Sequence, residues 1–120
     1  MQNFRDLKVW HKAHAITLET YTLTENFPAT ERYGLTGQMR RAAASVPANI
    51  AEGCVRSSDA DFARFLYVAL GSASELEYFA LLARDLKLLP EPGYEQIVAD
   101  IQEVKRMLTA LVTRLKADSR

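Results

Sequence analysis

Cysteine is nearly absent: Cys54 is the only one in 120 residues. A single thiol excludes an internal disulfide and a thiolate zinc cluster, and leaves a small hydrophobe or a free thiol in a reducing compartment. Excess charge is absent too, with fifteen Lys and Arg against fifteen Asp and Glu. No chain-wide field therefore draws the protein to a polyanion, and nucleic-acid binding needs a local patch. Long apolar runs are missing. The longest charge-free stretches, Ala42 to Ala51 and Phe65 to Ser74, hold ten residues each, against roughly 18 for a membrane-spanning helix. No membrane partner is expected. The opening residues reach Arg5, Lys8 and Lys12 without an apolar segment, so no secretory leader is read and a cytoplasmic location is the expectation. Four prolines and five glycines are too few for a low-complexity chain, and 48% apolar residues are too many for a disordered one. One domain over residues 1–120 follows.

What is present is helical periodicity. Ile97, Ile101, Val104, Leu108, Leu111 and Leu115 alternate steps of four and three, the seam of a bundle helix from about Pro92 to Lys116. Ser58 followed by Asp61 marks another helix start. Its stripe of Phe62, Phe65 or Leu66, Ala69, Ala73, Leu76, Ala80, Ala83 and Leu86 runs to Leu89-Pro90, which predicts about 31 residues. The first helix is predicted over Leu7 to Glu25, with Val9, Trp10, Ala13, Ile16, Thr17 and Tyr21 as its apolar side. The second runs from a Thr36 cap to Gly53 through Leu35, Met39, Ala42, Ala43, Val46 and Ile50. Pro47 lacks an N–H for the Ala43 carbonyl, so this helix either kinks there or splits into two. Four such helices with short connections predict an all-α, antiparallel up-and-down four-helix bundle.

The third helix has a second row, Tyr67, Leu70, Ser74, Tyr78 and Leu81, turned away from the Leu66 row. Either a wide core absorbs it or another copy of the chain covers it, and the expectation is a homo-oligomer.

Helix two also bears a polar row, Gln38, Arg41, Ser45, Asn49 and Glu52. It is either a solvated face or a structural motif set against Ser72, Glu75 and Glu77, with Arg40 or Arg41 paired to a carboxylate. Lys8, Lys12, Arg40, Arg41, Arg56 and Arg64 are the candidate phosphate contacts, interleaved with acids. His11 and His14 supply two ligands, too few for a metal site, and Cys54 has no neighbouring base. No catalytic residue, metal or cofactor is expected.

Phe4 to Trp10, Phe27-Pro28, Tyr33 to Thr36, Gln38 to Arg41, Ser45 to Gly53 and Gly71 to Glu77 together resemble the bacterial four-helix-bundle family associated with intervening sequences of 23S ribosomal RNA genes. The pattern is also similar to the accessory proteins of diversity-generating retroelements. The resemblance implies a cytoplasmic, non-enzymatic bundle that assembles as a ring-like homopentamer, with RNA, DNA or a reverse transcriptase as partner in the retroelement branch. The family motif falls on Gln38, Arg41, Ser45, Pro47, Asn49, Glu52, Gly53, Ser72 and Glu75.

Overall fold

The computed structural model describes residues 2–118; Met1, Ser119 and Arg120, part of the single-domain expectation, lie outside the described residues. Four helices account for most of it: α1 (Lys8–Thr24), α2 (Gly37–Cys54), α3 (Asp59–Asp85) and α4 (Glu91–Asp118), and there is no strand among the described residues. Helix α1 packs on α2 and α4, and α3 packs on the same two. Contacts run in opposite directions along each neighbouring pair: Thr17 meets Ala43 while Thr24 meets Arg40, and Gly53 lies against Phe62 while Ser45 meets Ser72. Lys12 likewise meets Glu103, and Lys105 meets Glu77. The result is an antiparallel bundle 49 Å long and 22 × 20 Å across.

The core follows the heptad reading on α4, where Ile97, Ile101, Val104, Leu108 and Leu111 are buried. Leu66, not Phe65, is the inward residue of α3, together with Ala69, Ala73, Leu76, Ala80 and Ala83. Small alanines along this line let α3 approach both neighbours closely. Gly53 serves the same end, since a Cβ there would lie 2.8 Å from the Phe62 ring.

Several expectations need correction. Tyr21 is 46% exposed beneath the Arg40 guanidinium, and Thr20 and Thr24 take the inward positions. Their hydroxyls donate to the Ile16 and Thr20 carbonyls at 2.8 Å, so the polar atoms are satisfied inside the helix. Helix α3 has 27 residues, fewer than expected. Lys87 adopts φ 64°, and Leu88 N–H and Lys87 N–H donate to Ala83 and Arg84 carbonyls, both at 2.9 Å. That is a Schellman stop, and it swings Leu86 out to 54% exposure. The Thr36 side chain does not cap α2; the Glu31 carboxylate accepts from Leu35 N–H instead.

Helix α2 is continuous through Pro47, which removes the two-helix alternative. The Ala43 carbonyl, deprived of a helical donor, lies 3.0 Å from the Thr17 hydroxyl of α1. The same hydroxyl is 3.1 Å from Ala13 O. Pro47 thus opens a backbone acceptor that α1 closes.

Candidate functional site

The polar row of α2 is partly internal. Ser45 and Ser72 hydroxyls meet at 2.8 Å, and Asn49 Nδ2 donates to the Ser45 carbonyl and hydroxyl at 2.8 and 2.9 Å. This half-buried knot ties α2 to α3. Glu52 holds Arg56, whereas Gln38, Arg41 and Glu75 stand exposed. The expected Arg40 pairing with an α3 carboxylate does not form. Arg40 Nε donates to Thr24 Oγ1 at 2.9 Å on α1, and Glu77 accepts Lys105 Nζ at 3.2 Å from α4. Adjacent helix positions point about 100° apart, which sends Arg40 toward α1 and leaves Arg41 outside.

The six candidate phosphate contacts divide into two groups. Arg56 and Arg64 both stack on Phe65, each 4.5 Å from the ring centroid, at the α2–α3 corner. The start of the chain joins them there, since Gln2 N–H donates to Cys54 O at 2.9 Å, which brings Lys8 to the same end. Lys12 lies one turn inward, 2.9 Å from Glu103, a partner that raises its ammonium pKa. Arg40 and Arg41 stand near the start of α2, about 24 Å from Arg56 along the axis at roughly 1.5 Å per residue. Arg64 also pairs with Asp61 at 3.0 Å.

Two features escaped the periodicity count. Trp10 sits between Phe4, at 4.7 Å, and the parallel ring of His14, at 5.0 Å. His11 Nε2 donates to the Arg5 carbonyl at 2.7 Å, so the histidine pair pins the chain start and does not converge on a metal. No group of three metal-ligating side chains exists among the described residues. The second feature is a crowd of acids between α1 and α4. A groove lined by Lys12, Glu19, Asp100 and Glu103 raises Glu19 to about 7, through burial and then the Asp100 carboxylate. Burial also pushes the Cys54 thiol up, which makes it a poorer nucleophile.

On the assembly row, Tyr67 and Tyr78 are 48% and 57% exposed. Leu70 and Leu81 are only partly buried, and Ser74 is exposed. Val68 and Leu86, outside the expected row, add to the apolar surface. By length and composition α3 could cross a membrane, yet its core residues pack on α2 and α4, and only 28% of its most apolar stretch is buried in the protomer.

An antiparallel four-helix bundle, with Ser45, Asn49 and Ser72 bonded between α2 and α3 and several apolar residues of α3 left exposed, places the chain in the all-α bundle class. Residues 5–110 match the family described as 23S rRNA-intervening sequence protein, and the chain belongs to it. It is similar to a solved structure described as a protein with unknown function from the S23 ribosomal protein family of Bacteroides thetaiotaomicron VPI-5482. The two are 27% identical with a TM-score of 0.78, over 87% of this chain and 97% of that one. No curated protein matches the chain.

Proposed function

We propose that the protein is a non-enzymatic, cytoplasmic, homo-oligomeric scaffold, a ring of five copies, that presents a surface to nucleic acid. The observation that carries the assembly is α3, where Tyr67, Val68 and Tyr78 remain about half exposed along one helix. Apolar surface of that extent on one helix favours a partner of matching chemistry, and a second copy has it. A further apolar patch, Leu18 and Tyr21 on α1, lies on the helix diagonally across the bundle, since α1 and α3 share α2 and α4 as neighbours. Two patches facing away from each other suit head-to-tail association, which closes as a ring, better than a two-fold dimer. A kink of α2 at Pro47, a residue buried in the protomer, belongs to the same reading.

Light scattering tests the assembly. Tyr78→Asp or Val68→Asp lowers the particle mass while far-UV circular dichroism stays unchanged; unaltered mass in both variants removes α3 from the interface.

A second reading, a protein-binding adaptor without a nucleic-acid role, is favoured by the internal partners of the candidate basic residues. Lys12, Arg56 and Arg64 each already hold a carboxylate. Capture of a protein from nuclease-treated extract, with no RNA affinity at low salt, selects that reading.

A further inference from the structure

Net neutrality conceals a separation of charge along the face that α1 and α4 share, although Arg32, Arg40, Arg41, Arg84 and Lys87 of the other elements lie toward its acidic end. From Glu91 to Glu103, α4 carries four acids and no base; from Lys105 to Lys116 it carries four bases and no acid. On α1 the order is reversed, with Lys8 and Lys12 early and Glu19 late, and the following Glu25 and Glu31 extend the acidic side. Because the two helices are antiparallel neighbours, like charges fall side by side. The Lys12–Glu103 pair, 2.9 Å apart, marks the boundary between the halves.

On α4 the order follows the helix dipole, with Glu91 in the first turn and Lys116 in the last, but on α1 helix stability does not favour it. The first turn of α1 holds no acid and its last turn no base, and its charges oppose the helix dipole. On the acidic side, Glu19 and Asp100 are crowded into one groove. Toward the other end, Lys8 of α1 and Arg114 of α4, with the Asp6 carboxylate beside them, line a cleft of about 350 Å³ floored by Val9, Met107 and Leu111. Lys8, Arg106 and Arg114 are all exposed.

We infer that the surface formed by the start of α1 and the end of α4, centred on Lys8 and Arg114 and flanked by Arg5 and Arg106, binds the phosphate backbone of RNA. The inference rests on the nucleic-acid reading above and moves its centre away from Arg40 and Arg41. Charge complementarity carries it: two cations on two helices, Lys8 and Arg114, outweigh the single carboxylate of Asp6 at one cleft, while the acids of the other half of the α1–α4 face repel phosphate and orient the strand. The backbone tracks between the two helices, and in a ring of parallel copies the same end repeats on one rim.

Anisotropy of a labelled, unstructured RNA of about 20 nucleotides, several times the footprint of a small single-strand site, tests this at low salt. The pair Lys8→Gln and Arg114→Gln weakens binding by about tenfold and reduces the salt slope by about 1.4, two single-strand phosphate contacts. The pair Arg40→Gln and Arg41→Gln changes affinity by less than about twofold, as residues outside the site should. Should the first pair fail to fold, Arg5→Gln with Arg106→Gln gives the same readout on exposed positions. No binding by the wild-type protein overturns both the nucleic-acid reading and this surface. Wild-type binding that both pairs weaken equally, or that only the Arg40 and Arg41 pair weakens, keeps the reading and overturns the surface.

Discussion

The Thr17 contact to Ala43 gives the most discriminating prediction about the fold. Thr17→Val keeps shape and volume but deletes the hydroxyl that lies 3.0 Å from the Ala43 carbonyl. The Ala13 carbonyl also loses a contact, but it keeps the α-helical donor, Thr17 N–H. The Ala43 carbonyl has no such donor because Pro47 has no N–H. Leaving one buried acceptor unmade costs about 1–3 kcal/mol, and the half-buried position of Thr17 favours the lower part of that range. At about 2.1 cal/mol/K per residue, each kcal/mol lowers the melting temperature of a chain this size by roughly 4 °C. In a Pro47→Ala background the helix supplies its own donor, so the same Thr17→Val change costs less than about 0.5 kcal/mol, within ordinary additivity error. Urea unfolding of the four proteins at one protomer concentration measures the difference, a coupling of about 1 kcal/mol. Equal costs of Thr17→Val in the two backgrounds would refute the idea that α1 completes the α2 backbone.

Two further predictions follow from single residues. Glu19 has its folded-state pKa raised from 4.5 to about 7, so its contribution is fully present below about pH 4.5 and is lost as pH rises through 7. Glu19→Gln therefore raises thermal stability at pH 8 and flattens the decline between pH 5 and 8; identical profiles for variant and wild type contradict this. Lys87 at φ 64° occupies the left-handed stop of α3, so Lys87→Gly stabilises by about 0.5–1 kcal/mol, seen as a higher urea midpoint, whereas a loss would mean that Lys87 makes an unrecognised contact.

The bundle was legible because its helices advertise themselves. The α4 seam is a strict heptad, and Ser58 does accept from Asp61 N–H as the cap motif requires. What escaped depended on contacts between helices. Thr20 and Thr24 carry no apolar signal, yet a threonine in a helix can bond its own backbone and be buried. The end of α3 was placed too late because a lysine holds the position that glycine usually signals. Of the candidate site, Ser45, Asn49 and Ser72 are bonded to one another between α2 and α3, while Arg40 turns to α1. The grouping of six basic residues by sequence proximity mixed two ends of a long molecule. The charge division of α1 and α4 was present in the sequence, but only the antiparallel pairing of the two helices turns it into a surface.

The mass of the wild-type protein in dilute solution tests the central claim most directly. Light scattering at micromolar concentration is expected to give about five times the 13.5 kDa of one chain. A monodisperse particle of 13.5 kDa, with Tyr67 and Tyr78 left in water, would contradict it.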